Sequence, residues 1–300
     1  MRRSREAVAG VLLVLAVLGG CPAHTDYGGA QRLTDHTAYT LRPGEALVGV
    51  GLVGTTYDNL LASIRLEWSP FVPGLEIGTN LAHDVLPLVN VYAKYSFLDT
   101  RWIGMSARLG FRWLSPRYLW MIPDDAAFKQ ELRGADLYMV PAAVTVSFPL
   151  ARWVGVHAEL SYTYTPVAGD LVLDETYYNG GVVWHELTVH PSLHFYVGDG
   201  VALLVGVDVP VYSAISGEGY SETPHPTHPG VLYGMQASLS TRFDVARLVT
   251  PWLGLHVAWE HLNLRLTAAW GLRFFDESLL ERSDWLAYVP IPGIELFWRL

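Results

Sequence analysis

Trp102-Ile103-Gly104-Met105-Ser106-Ala107-Arg108-Leu109-Gly110-Phe111-Arg112-Trp113 carries the clearest periodic signal in the chain. Ile103, Met105, Ala107, Leu109, Phe111 and Trp113 fall on one side of a two-residue period, and Gly104, Ser106, Arg108, Gly110 and Arg112 on the other. A helix would spread these residues over its whole circumference, whereas an extended chain separates them cleanly. Leu60 to Ser69 repeats the pattern, with Leu60, Ala62, Ile64, Leu66 and Trp68 opposed to Ser63, Arg65 and Glu67. So does Leu262 to Phe274, where Asn263, Arg265, Thr267 and Arg273 oppose an apolar row.

Working outward, the same period predicts twelve strands, near 45–54, 60–69, 74–82, 88–97, 102–113, 137–148, 153–164, 184–197, 201–212, 231–243, 262–274 and 287–300. Several would run well beyond the five or six residues of an ordinary globular strand. Connections at 70–74, 98–101, 149–152 and 198–200 are tight, while 114–136, 165–183, 213–230 and 275–286 are long and polar. Trp252 to Glu260 also alternates and would make thirteen strands. An odd count puts the chain ends on opposite sides, so 244–261 is expected as a periplasmic connection, a helix or a short hairpin. Ten or fourteen strands fit the same data.

Alternation alone suits a soluble sandwich equally well. Long strands, short turns at one end, longer loops at the other and aromatic residues at strand ends together favour a membrane barrel. Trp68, Trp102, Trp113, Trp153, Tyr212 and Trp298 are among the aromatics at those ends. The expected fold is therefore all-β, an antiparallel transmembrane β-barrel over 44–300. A closed barrel makes every backbone hydrogen bond between strands, which lets it cross hydrocarbon without helices. The apolar rows would face lipid. Arg65, Glu67, Lys94, Arg108, Arg112, Glu159, His190, His194, Asp208, Arg265 and Arg273 would line the lumen.

Composition narrows the function. The chain has 300 residues, 51% hydrophobic and 16% charged, so it is not a disordered or solvating chain. Its net charge of −9 and just two lysines, Lys94 and Lys129, argue against a nucleic-acid partner. One cysteine excludes a disulfide framework and any CxxC metal site.

That cysteine sits at a telling place. Arg2, Arg3 and Arg5 precede an apolar run from Ala7 to Leu18, which closes on Gly19, Gly20 and Cys21. A basic start, a short apolar core and small residues at its end predict a signal peptide over 1–20. Leu18-Gly19-Gly20-Cys21 resembles the lipobox of bacterial lipoproteins, which implies a lipidated Cys21 after cleavage. Residues 21–43, polar and turn-rich, are expected as a periplasmic tether. The barrel segment resembles the class of bacterial outer-membrane β-barrels in Gram-negative cells. Its last strand, Gly293 to Leu300, is similar to the terminal insertion signal of that class, although it ends on Leu300 with Trp298 two residues earlier.

Chemistry-bearing clusters are few. Glu186, Thr188, His190, Ser192, His194 and Tyr196 share one strand face, but His at i and i+4 lie about 13 Å apart there and cannot hold one ion. A hydrogen-bonded lumen wall accounts for them. His190-Pro191-Ser192 has the His-x-Ser spacing of outer-membrane phospholipase, yet it falls on the polar face and no Asn follows closely. Glu218, Glu222, His225 and His228 could chelate a metal, but the flanking prolines favour an extended, solvated loop. No cofactor, metal or catalytic residue is expected. The leading expectation is a non-enzymatic outer-membrane lipoprotein barrel with a narrow, porin-like channel for ions or small solutes. The alternatives are a structural or adhesive surface barrel acting through acidic loops, and a lipid-modifying enzyme. Membrane lipid is the expected partner, and the oligomeric state is open.

Overall fold

The computed structural model describes residues 33–34, 36–52, 62–81, 88–115, 134, 136–173, 176–197, 200–224, 232–242, 249–270 and 290–300. Its strands are β1 (Ala46–Leu52), β2 (Ala62–Trp68), β3 (Leu75–Asn80), β4 (Leu88–Asp99), β5 (Gly104–Leu114), β6 (Asp136–Ala151) and β7 (Val154–Leu173). Then follow β8 (Thr176–Val197), β9 (Val201–Pro224), β10 (Leu232–Arg242), β11 (Thr250–Trp259), β12 (Leu262–Ala269) and β13 (Ile291–Arg299). Consecutive strands pair antiparallel from β1 to β9, β9 pairs β11, and β11, β12 and β13 lead back to β1. The ring closes with twelve strand positions.

The thirteenth strand shares a position. β9 pairs β11 along its first part, from Val201↔Val257 to Asp208↔Thr250, and β10 along its second, from Ala214↔Arg242 to Pro224↔Leu232. β10 and β11 therefore succeed one another along one edge of β9. This corrects the expectation for 244–261: residues 250–259 are wall strand, not a periplasmic connection. The evenness argument survives because two strands occupy one place in the ring.

The long connections also differ from expectation. Within 165–183, β7 and β8 keep pairing out to Leu173↔Thr176, and β9 continues through residues 213–224. These three strands reach 20, 22 and 24 residues. About 9–11 residues cross a bilayer, so the excess stands above it as an extended sheet. Polarity there marks exposure to water rather than absence of a strand.

Side chains alternate as period two requires. On the outside, Leu66, Val91, Leu109, Phe111, Val144, Leu160, Leu203, Leu255 and Ile294 are exposed. A water-soluble protein rarely presents so continuous an apolar surface. At the end with tight turns, Trp68, Phe71, Trp102, Trp153, Trp259 and Trp298 form an exposed aromatic band, and Tyr162, Trp184 and Tyr212 lie nearer the other end. Gly74 makes the tight β2–β3 turn possible: its φ is +79°, and its carbonyl accepts the Ser96 amide at 2.8 Å. Leu109 is 59% exposed and lies between Trp102 and Trp113. Leu109→Arg is expected to cost about 2–4 kcal/mol, read from the urea midpoint in lipid vesicles. An unchanged midpoint would mean that this face does not meet lipid.

Candidate functional site: the occupied lumen

The inner wall begins with the polar row of each strand. Glu67, Lys94, Glu159, His190, His194, Asp208 and Arg265 are buried there. Arg65, Arg108 and Arg112 lie on the same inner rows, partly exposed. Arg273 and Cys21 lie outside the described residues, as do His225 and His228. Among the described inner residues, six cations (Arg65, Lys94, Arg108, Arg112, Arg265, Arg299) meet six acids (Glu67, Glu76, Glu159, Glu186, Asp208, Glu295). A lining so nearly balanced gives little preference for either sign of ion.

The charges are organised into groups. Arg65 pairs with Glu67 on its own strand through Nε at 3.0 Å, and with Glu295 at 2.8 Å. Arg265 reaches the other oxygen of Glu295 at 3.3 Å. This network joins β2, β13 and β12 across β1, whose inner positions opposite Arg65 and Glu295 are Gly49 and Gly51. A Cβ on Gly49 would come within 2.9 Å of Phe297 Cβ, so β1 and β13 meet too closely there for a side chain. Farther round, Arg108 pairs with Glu159 at 3.1 Å, and Thr145 donates to the same carboxylate at 3.0 Å. Arg112 sits against Met139 Sδ at 3.6 Å.

A second group carries imidazoles. His157 and His194, on adjacent strands, have ring centroids 4.2 Å apart, and His157 Nδ1 lies 2.8 Å from Ser147 Oγ. His190 bridges two strands: its Nε2 lies 2.8 Å from Ser161 Oγ and its Nδ1 2.7 Å from Asp208 Oδ1. Among the described residues no cluster of three or more His, Cys, Asp or Glu is placed to hold a metal ion.

The lumen is occupied by the chain itself. Residues 33–34 and 36–41, expected as part of a periplasmic tether, run through the interior, with Leu33 at 2%, Ala38 at 0% and Tyr39 at 1% exposure. Lys94 Nζ donates to the Thr34 and Tyr39 carbonyls, both at 2.6 Å. The Ala38 amide donates to Ser147 Oγ at 2.7 Å and the Leu41 amide to Glu76 Oε2 at 3.0 Å. Leu33 and Tyr39 pack with Tyr196, Ala202, Leu204, Trp252 and Ala269, while Leu41 packs with Leu47 and Phe297. Trp252 lies over Gly206, where any Cβ would collide with the indole. The segment thus touches wall on every side of the ring. Its threonines, Thr34, Thr37 and Thr40, suit a polar lumen as well as they suit water, which is why composition alone reads it as a tether.

Sequence reasoning missed Glu76, Ser147, Ser161 and Glu295 as well as this segment. The strand residues were open to discovery, since each alternates with outward apolar neighbours. On the extended sheet above the barrel, Tyr220 donates to Glu222 Oε1 at 3.0 Å, and that bond holds the phenol above its ordinary pKa.

No family model matches the chain, and no curated protein matches it. Solved structures that resemble it are outer-membrane barrels. The toluene transporter TodX of P. putida aligns with a TM-score of 0.45 and 9% identity, covering 84% of this chain and 70% of that one. The monoaromatic hydrocarbon channel CymD aligns at 0.37 and 9% identity, covering 86% and 88%. The ferric citrate transporter FecA, unliganded, aligns at 0.33 and 11% identity, covering 87% of this chain and 52% of that one.

Proposed function

We propose that this protein is an outer-membrane channel for small, mainly uncharged solutes, closed at rest by its own residues 33–41. The observation that carries the reading is the buried N-terminal segment, held across a polar lumen by a few hydrogen bonds. Twelve strands enclose more space than the eight-stranded barrels whose interiors side chains fill. A wall with no passage to control would need neither the extra width nor an ion-paired polar lining. Arg65, Glu67, Lys94, Arg108, Arg112, Glu159, His190, His194, Asp208, Arg265 and Arg273 are the lining in this reading, and Cys21 is its lipid anchor.

A reversible lock tests it. The Ala38 amide meets Ser147 Oγ at 2.7 Å, so paired cysteines can join the segment to β6. In a Cys21→Ser background, Ala38→Cys with Ser147→Cys is expected to abolish solute flux into liposomes when oxidised and to restore it on reduction. Flux indifferent to the redox state of the confirmed crosslink would sink the gate.

A further inference from the structure

We propose that Ser161, His190 and Asp208 form a hydrolytic site for uncharged carboxylic esters on the inner wall of the barrel. The three residues come from adjacent strands, β7, β8 and β9. Ser161 Oγ lies 2.8 Å from His190 Nε2, and His190 Nδ1 lies 2.7 Å from Asp208 Oδ1. His190 and Asp208 are buried at 3% and 6% exposure, Ser161 is part-buried, and the ring of His36, from the segment in the lumen, lies 6.1 Å from that of His190.

The bonding order makes His190 a base. An ionised carboxylate accepts hydrogen bonds and cannot donate them, so Asp208 places the proton on Nδ1. That leaves the Nε2 lone pair facing the Ser161 hydroxyl, as a serine nucleophile requires. The competing acceptor for that hydroxyl, the Thr188 carbonyl, is farther away at 3.5 Å. Neighbouring hydroxyls are differently engaged: Thr188 donates to Glu186 at 3.1 Å, and Ser192 meets His194 Nε2 at 3.4 Å. His190-Pro191-Ser192 is therefore not the working pair. The partner of His190 comes from the next strand.

The chemistry balances without a cofactor. Ser161 Oγ bonds to the ester carbonyl carbon while its proton moves to His190 Nε2. The carbon–alkoxy bond then breaks, the alcohol leaves with that proton, and an acyl-Ser161 remains. Water attacks the acyl carbon, gives a proton to His190, and the acid departs as Ser161 recovers its hydrogen. Asp208 acts through His190 and is a positioning residue. Arg108 pairs with Glu159, which lies two residues from Ser161 on the same face of β7. Arg108, Glu159 and Asp208 together leave the neighbourhood net negative. An uncharged ester suits it better than an anionic phosphodiester.

The experiment uses the full chain in detergent, treated with a fluorophosphonate probe and assayed with p-nitrophenyl butyrate. The expected result is a probe adduct on the peptide bearing Ser161, with adduct and hydrolysis both lost in Ser161→Ala. Asp208→Asn should slow labelling roughly 10²–10⁴-fold, and Asp208→Glu, which keeps the carboxylate, should recover part of that rate. Ser192→Ala should label as the parent does. Heat-modifiable migration shows that each variant is a folded barrel. A folded barrel with no adduct on Ser161, with or without residues 33–41, overturns the proposal. Labelling that is unchanged in Asp208→Asn overturns it too.

Discussion

Deleting residues 33–41 is expected to turn a closed barrel into one with steady single-channel conductance in planar bilayers, by emptying a lumen that twelve strands leave wide enough to hold water. The barrel should survive the loss, because its wall is hydrogen-bonded strand to strand round the ring without help from the segment. What is lost is specific: the Ala38 bond to Ser147, the Leu41 bond to Glu76, both Lys94 bonds, and the packing of Leu33 and Tyr39 on Trp252 and Tyr196. Glu76 and Lys94 then gain water in place of the segment, so the cost in stability is small. Lys94→Met is a graded form of the same experiment. It removes the two bonds to the Thr34 and Tyr39 carbonyls but keeps the apolar contacts, and brief openings of the full step size are its expected record. An emptied barrel that still does not conduct would show that inward side chains close the lumen by themselves.

The two-residue period made the division between inner and outer faces legible, because most inward polar residues are flanked by outward apolar ones. Glu295 was as readable as Arg265, lying between outward Ile294 and Leu296. Register was not readable. That His190 lies opposite Glu159 and within reach of Ser161 and Asp208 depends on where each hairpin turns and on the irregularity between Leu187 and Thr188. A single strand's sequence contains neither fact, so the spacing in His190-Pro191-Ser192 pointed along one strand when the bonding runs across three. The sharing of one ring position by β10 and β11 was equally hidden: each alternates, and alternation counts strands without counting positions. The segment 33–41 failed for another reason. A polar lumen selects the same threonines and turn residues that water does, and only tertiary contact distinguishes them.

Glu295→Ala should be the most destabilising single substitution in the wall, by about 3–5 kcal/mol. Glu295 accepts from Arg65 at 2.8 Å and from Arg265 at 3.3 Å, and its side chain is just 10% exposed. Removing it leaves two guanidinium groups in a tight space with Glu67 as the remaining carboxylate of the network. Position adds to the effect. β13 and β1 are the last and first strands of the ring, and the network ties β2 and β12 together across both. The glycines Gly49 and Gly51 on β1 leave that path clear, so the bridge belongs to the seam where the barrel closes. Urea titration of the vesicle-inserted protein, followed by tryptophan fluorescence, measures the loss. Glu295→Gln, which still accepts hydrogen bonds but no longer neutralises, should fall between parent and alanine. Adding Arg265→Met to Glu295→Ala should recover part of the stability, since one of the two stranded charges is then gone. Equal midpoints for Glu295→Ala and the double variant would mean that the penalty comes from lost packing rather than from uncompensated charge.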